Sequence, residues 1–427
     1  MVPLKILIKN GYVIDPATDK EEICDLLIKD NYIAQVGQNI THDADQIIDA
    51  TDCYVMPGFI DLHVHLREPG FEYKETIETG ALAAAHGGFT SICPMPNTNP
   101  VIDSAKMVAY LSEKSKKDAV VNILPVGAVT LGQAGQDLAD IAGMVKEGAV
   151  AISEDGKSVM DTALYRKAMT IAKEEGIVVL AHCEDKSLVQ GGVMNAGKKA
   201  EELEMPGITN AVEDIIAARD ILLAKETGAK LHLCHCSTKD SAWMVGKAKE
   251  EGLPVTAEVC PHHFALTDED IVEDDADYKM NPPLRSKEDV QALKEALRDN
   301  IIDVIATDHA PHGEDEKKKS MKEAPFGIVG LETAFAITMT ELVKTGYLTP
   351  RQLVEKMSLN PAKVLGINKG TLKEGAIADI VIANPNEEYI IDTKDFVSKG
   401  KNTPFHGKKV YGKILYTLVN GQVVYQA

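Results

Sequence analysis

The chain lacks any hydrophobic run long enough to cross a bilayer; its longest apolar stretches are of strand length. It also lacks a basic excess. Lys and Arg total 45 against 65 Asp and Glu, a net charge of −20, which argues against nucleic acid or an anionic membrane surface as partner. Cysteine is sparse and unpatterned: seven residues, an odd number without framework spacing, point to reduced thiols in a cytoplasm. The opening residues Met1-Val2-Pro3-Leu4-Lys5 do not have the layout of a secretory signal. No internal repeat favours a solenoid and no tract is of low complexity. What remains is an ordinary globular composition, 44% hydrophobic and 26% charged, over 427 residues, enough for a large core and more than one domain.

The stretch Phe59–Gly70, FIDLHVHLREPG, organises what is present. Its alternation predicts a β-strand with Asp61, His63 and His65 on one face and Leu62 and Val64 on the other. Two imidazoles side by side at a strand end form a pincer for a divalent metal, although a lone H-x-H is as often an ordinary strand with two histidines. Upstream, Ile6–Lys9, Asp25–Ile28, Ile33–Val36 and Ile47–Ile48 read as short strands; Ala378–Ala383, Tyr389–Ile391 and a hairpin of Ile414–Val419 and Val423–Tyr425 read likewise near the other end. Short strands need a partner sheet. One small β-sandwich domain built from both termini, 1–56 and 366–427, with the middle inserted, is the economical arrangement.

The middle alternates strand and helix. Strands are predicted at Phe59–His65, Thr90–Cys93, Val120–Val126, Ala149–Ser153, Ile177–His182, Lys230–His235, Pro254–Val259 and Ile302–Thr307. Helical patterns lie between them, at Lys74–His86, Ser104–Lys116, Thr162–Glu175, Ala211–Thr227, Lys239–Glu251 and Lys287–Asp299, with two more near Gly330–Lys344 and Thr349–Met357. Eight alternations predict an α/β fold, a (β/α)8 TIM barrel over 57–365. Active sites of such barrels lie at the C-terminal strand ends. Those ends deliver His63 and His65, Asp155, His182, His235 and Asp308. Each alone is commonly a cap or surface residue; together they read as a metal centre. Six ligands exceed the four or five one zinc takes, and suit two ions that share a carboxylate and a hydroxide.

These residues resemble the amidohydrolase superfamily, and more closely its dihydroorotase family in the longer bacterial, class I form. The motifs are PGFIDLHVHLREPG (57–70), PMPNTNP (94–100), SEDG (153–156), AHCED (181–185), KMNPPLR (279–285) and ATDHAPH (306–312), spread over almost the whole chain. The resemblance implies reversible, zinc-dependent cyclisation of N-carbamoyl-L-aspartate to L-dihydroorotate in pyrimidine biosynthesis. It implies two Zn2+ per subunit, one on His63, His65 and Asp308, the other on His182 and His235, bridged by Asp155 and a hydroxide. Many relatives bridge with a carboxylated lysine at the end of the fourth strand; none stands there, and Lys157 is the less favoured bridge. Asp308 would be the catalytic base. His65, Arg67, Asn97, Asn281, His312 and the backbone at Phe326-Gly327 would hold the substrate. A homodimer, and association with aspartate carbamoyltransferase, are the implied protein partners. The alternatives are a hydantoinase, dihydropyrimidinase or allantoinase, whose substrates lack the ring carboxylate, and a non-catalytic scaffold, which the six intact ligands disfavour.

The polar segment GEDEKKKSMKEAPF (313–326) is short of apolar anchors and is expected to be a mobile lid whose ordering depends on ligand. His42, His86 and His406 read as structural or surface residues. Strand parity sends His232 outward and sets Cys234 and Cys236 opposite His235 as small buried hydrophobes. Asp61 is expected to orient the histidines, and His262 and His263 stay unassigned.

Overall fold

The computed structural model describes residues 5–427. Five strands open the chain: β1 (Lys5–Asp15), β2 (Lys20–Lys29), β3 (Tyr32–Gly37), β4 (Gln46–Asp49) and β5 (Tyr54–Pro57). The middle carries β6 (Phe59–Val64), β7 (Phe89–Pro94), β8 (Asn122–Ile123), β9 (Val126–Ala128), β10 (Ala151–Ser153) and β11 (Val178–Ala181). It continues with a small outlying pair, β12 (Met194–Asn195) and β13 (Gly207–Ile208), then β14 (Lys230–Leu233), β15 (Val255–Val259) and β16 (Val304–Ile305). The last strands are β17 (Ile380–Ile390), β18 (Lys409–Val419) and β19 (Gln422–Gln426).

Strands from both ends of the chain join in one sheet, ordered β19-β18-β17-β5-β1-β2-β3, with β4 also on β1. Its branching has a local cause. The first half of β1 pairs with β4 and the second half with β5, on either side of a register shift between Ile8 and Gly11. Gly11 is required there, because a Cβ would come within 2.3 Å of Val55 Cγ2. The expected hairpin turn at Asn420-Gly421 has left-handed backbone at both residues, φ 50° and 74°, which suits the right-handed twist of the flanking strands. Ile6, Ile8, Leu26, Val55, Ile380 and Leu418 are among the residues of its core.

The inserted strands run parallel, as six (β9 to β16 in the order β9-β10-β11-β14-β15-β16) and three (β6-β7-β8). The strand expected at 120–126 is interrupted: β8 pairs with β7 and β9 with β10, separated by Leu124 and Pro125, whose ring leaves no donor for a ladder. At the other edge, Val64 forms a parallel bridge with His309, just past β16. Ile60, Leu62, Cys93, Ala151, Leu180 and Val304 pack together on one side of these strands, while Val179, Leu231 and Ala257 pack toward helices.

The six helical patterns appear as Ile77–His86, Ala105–Asp118, Thr162–Glu174, Ala211–Thr227, Lys239–Glu250 and Lys287–Arg298. Thr76, Asp161, Thr238 and Ser286 cap four of them through side-chain oxygens. A seventh helix, Ile141–Lys146, was too short for periodicity to show. The two late helices are interrupted by wider five-residue turns, Met339–Val343 and Glu355–Leu359. Among the described residues no helix is long and apolar enough to cross a membrane.

Asp379 joins the terminal sheet to the inserted strands. It is buried and accepts from Asn420 N (2.8 Å), Asn122 Nδ2 (3.3 Å) and the Lys369 ammonium. Asp379→Ala should lower unfolding free energy by about 2–4 kcal/mol, because it leaves several donors and one cation without their acceptor. Chemical denaturation checks this; an unchanged midpoint would remove Asp379 from the interface account.

Candidate metal centre and active site

Six side chains from five strand ends converge. Asp155 Oδ1 lies 3.2 Å from His63 Nε2, 3.5 Å from His182 Nδ1 and 3.9 Å from His235 Nε2; its Oδ2 lies 3.5 Å from His65 Nε2. Asp308 Oδ1 is 3.0 Å from His65 Nε2 and 3.5 Å from His63 Nε2. All six are buried. Burial disfavours the Asp155 anion, but the charge of His63 and bonds from His182 and His235 outweigh it and hold the carboxyl well below its usual range. Asp308 is held down in the same way, by His63 and His65. Burial likewise pulls on His63 and His182, yet Asp155 outweighs it in both, with Asp308 and Glu184 respectively, and His182 is raised to about 10.

The donor set fits divalent metal ions. Imidazole and carboxylate are the ligands zinc and its neighbours take. His63 Nε2 and His182 Nε2 are buried with no hydrogen-bond partner, and two ring nitrogens, His182 Nδ1 and His235 Nε2, face one another at 2.9 Å. Such a cluster of lone pairs is costly without a proton or cation among them. His63, His65 and Asp308 form one close group of donor atoms and His63, Asp155 and His235 another. Lys157 is exposed, so the ring of imidazoles surrounds Asp155 and not a lysine.

Above the centre lies a cavity of about 170 Å³ lined by His65, Arg67, Asn97, Asp155, His182, His235, Asn281, Asp308, Phe326 and Gly327, among others. Asn97 accepts from His65 Nδ1 (3.0 Å) and donates to Asp155 Oδ2 (3.2 Å). Arg67 has left-handed backbone (φ 62°) and donates through Nε to Pro311 O at 3.1 Å. His312 stands behind Arg67 and outside that lining: its Nε2 donates to Phe326 O at 2.7 Å and its Nδ1 accepts from Lys74 at 3.1 Å. Asn281 donates to Glu184, a residue the sequence did not single out.

Four expectations need correction. His232 does not point outward: it is fully buried and donates to Glu258 Oε2 at 3.0 Å. The parity count failed because β14 ends at Leu233 and His235 sits in left-handed backbone (φ 35°), which breaks the alternation. Cys234 is buried as expected, but it packs with Ile60, Leu62 and Leu180, and its thiol belongs to a group with His63 and Glu258. Asp61 does not bond an imidazole; it accepts from His63 N, Thr307 N and Thr307 Oγ1 and ties β6 to the end of β16. The 313–326 segment has anchors: Met321 is fully buried, and the buried Lys317 ammonium donates to Gly327 O (2.9 Å) and Pro325 O (3.2 Å). Beneath the centre, Glu258 receives His63 Nδ1 at 3.3 Å on one oxygen and His232 on the other. No short-range pattern marked Glu258, because it lies 195 residues from His63.

The family described as Dihydro-orotase-like matches residues 53–241. The curated dihydroorotase of Caldanaerobacter subterraneus is 50% identical over 423 residues, 99% of this chain and 98% of its own; that of Pelotomaculum thermopropionicum is 51% identical over 99% of both. The chain belongs to the dihydroorotase family. Solved structures of cyclic amidohydrolases share the fold: an L-hydantoinase from Arthrobacter aurescens superposes with TM-score 0.89 at 28% identity, covering 99% of this chain and 96% of its own. A dihydropyrimidinase from Brevibacillus agri superposes at 0.87, with 26% identity over 99% and 95%. As a member of the dihydroorotase family the chain is a cyclic amidohydrolase enzyme, and its candidate ligands suit the metal dependence of these enzymes.

Glu258→Gln tests the carboxylate under His63. The amide keeps shape but loses the charge that orients the ring and raises its basicity. Zinc affinity, measured by competition with a chelating dye, should fall by about 10–100-fold with folding intact. Unchanged affinity would make Glu258 a partner of His232 alone.

Proposed function

We propose that the chain catalyses the reversible cyclisation of N-carbamoyl-L-aspartate to L-dihydroorotate, at a two-ion centre on a (β/α)8 barrel. The barrel reading rests on the two parallel sheets, β6-β7-β8 and β9-β10-β11-β14-β15-β16, which share the 122–128 segment at one edge, and on the Val64–His309 bridge at the other. The barrel would occupy 57–365, inserted in a small domain from 1–56 and 366–427. The observation that carries the site is Asp155, one carboxylate within 3.2–3.9 Å of four imidazoles on three other strands. His63, His65 and Asp308 would hold one zinc and His182 and His235 the other, with Asp155 between them. When bound, such a pair supplies Lewis acidity and an acidified water.

The protein groups account for the rest. In the hydrolytic direction, water adds to the ring amide carbonyl, the C–N bond breaks, and the nitrogen leaves with a proton. Asp308, ionised and facing the cavity, would take the proton from water and return it to that nitrogen; ring closure uses the same carboxylate in reverse. Arg67 offers a fixed fork to the substrate's free carboxylate, with Asn97 opposite and Asn281 and the Phe326-Gly327 backbone at the ring. Hydantoin carries no such carboxylate, so Arg67 is the feature that favours dihydroorotate over the hydantoinase reading. Seven free, buried cysteines agree with a reducing cytoplasm.

Purified protein should cyclise N-carbamoyl-L-aspartate with about two zinc ions per chain, and Asp308→Ala should lower kcat at least ~100-fold. Arg67→Lys keeps the charge but not the fork, and KM should rise ~10-fold or more. Full metal occupancy with turnover of hydantoin and none of N-carbamoyl-L-aspartate would replace this reading with the hydantoinase one.

A further inference from the structure

We infer that Lys317 is a positioning residue for the substrate: its ammonium fixes the backbone of residues 324–327 and thereby sets how tightly the ring is held. The inference rests on the reading above, in which the Phe326-Gly327 backbone meets that ring. Lys317 ends the short helix Glu314–Lys317, and its side chain is buried. Its Nζ donates to Gly327 O at 2.9 Å, Pro325 O at 3.2 Å and Lys279 O at 3.3 Å. It does not act alone. Ala324 O accepts from Lys279 Nζ at 2.5 Å, Phe326 O from His312 Nε2 at 2.7 Å, and Gly327 O also from Asn402 Nδ2 at 3.0 Å. Four successive carbonyls, 324 to 327, are thus each held by a side-chain donor. A loop backbone ordinarily meets water instead.

The ammonium is costly where it stands. Burial lowers its pKa to about 8 and Lys279 adds to that, while Asp277, Asp275 and Glu316 counter only part of it. A methionine would fill the same space without desolvating a cation. What the ammonium adds is the direction of the carbonyls. Lys317 and Asn402 lie outside the cavity lining, so the oxygens they hold point away from it, where an exposed carbonyl dipole would repel an anionic substrate. Gly327 leaves little slack on the other side: its φ is 133°, and a Cβ there would fall 2.7 Å from that of Ala310. The strand is pinned between Ala310 and Lys317. Its contact with the ring is the same before and during reaction, so loosening it should raise KM and spare kcat.

Steady-state kinetics of the full, zinc-loaded chain test this. Lys317→Met should raise KM for N-carbamoyl-L-aspartate about 10-fold, with kcat within about 3-fold and zinc content unchanged. A merely structural lysine would lower the melting temperature and the active fraction and leave KM alone. Lys318→Met removes the same charge one residue on, where the exposed ammonium pairs with Glu314, and should keep the wild-type KM. If Lys317→Met does not fold, Lys317→Gln, which keeps a neutral donor, takes its place; failure of both to fold makes Lys317 structural and overturns the inference. The wild type supplies a second measurement. Brief labelling with acetic anhydride, read by mass spectrometry, should modify Lys317 at least ~10-fold more slowly than the exposed Lys318, Lys319 and Lys322. An accessible lysine of lowered pKa would instead react faster than its neighbours, so slow labelling reports the clamp. Labelling of Lys317 at its neighbours' rate overturns the inference, as does an unchanged KM in the folded variant. A wild type that does not turn over N-carbamoyl-L-aspartate overturns the activity reading and the inference with it, whereas an active wild type with an unchanged KM in the variant overturns the inference alone.

Discussion

A buried ionised carboxylate is among the most expensive groups a protein can hold, and Asp155 is such a group. What makes it tolerable is the ring of imidazoles within 4 Å, and those imidazoles come from β6, β11 and β14. Each is placed only if its strand keeps its register beside its neighbours. The centre thus depends on the parallel strands, and the strands in turn are tied together by the polar groups beneath it. Asp61 fastens the backbone of His63 to Thr307, and Glu258 receives His63 and His232 from two further strands. A single misplaced strand would leave several charges unpaired at once. That gives the site its single-structure specificity, at a cost in stability that the surrounding apolar packing offsets.

Much of this was legible in the sequence because the ligands sit at strand ends, where a short apolar run stops and a His or Asp follows. His63, His65, His182, His235 and Asp308 could be found by that rule alone, and the motifs around them carried the family. The terminal sheet was legible for a similar reason: alternation and the Asn420-Gly421 turn are local signals. The rule failed where the backbone leaves the strand. His235 and Asp308 both adopt left-handed φ, 35° and 48°, so counting by twos through them gives wrong faces, and His232 was misplaced. Glu258 and Glu184 were missed because their significance lies in pairs remote in sequence, His63 with Glu258 and Asn281 with Glu184.

The 313–326 segment shows the same limit from the side of composition. A run with so many Lys and Glu residues reads as solvated, yet its buried side chains are Lys317, Met321 and Ala324. Lysine has a long apolar stem, and its head is satisfied here by three backbone carbonyls, of Lys279, Pro325 and Gly327. Burial lowers its pKa to about 8, so the ammonium is held by geometry more than by a counter-charge. Two of the carbonyls it grips, those of Pro325 and Gly327, flank Phe326 at the wall of the cavity.

That arrangement answers a difficulty set by the composition. The substrate class proposed for this site is anionic and the chain carries a net charge of −20, so the field outside the molecule opposes entry. The fixed cations that counter it are gathered at one side of the cavity. Arg67 lies in its wall, Lys74 reaches His312 behind it, and Lys279 sits 4.3 Å over the Phe326 ring. His312 is pushed down to about 2 by burial and by Arg67, Lys74 and Lys317, so it stays neutral and takes no positive charge from them. Its Nε2–H is then free to hold Phe326 O while Nδ1 accepts from Lys74. A neutral imidazole thereby couples the arginine side of the site to the Phe326 backbone in the cavity wall. The positive charge left facing the cavity is that of Arg67, where a carboxylate can use it in a paired hydrogen bond.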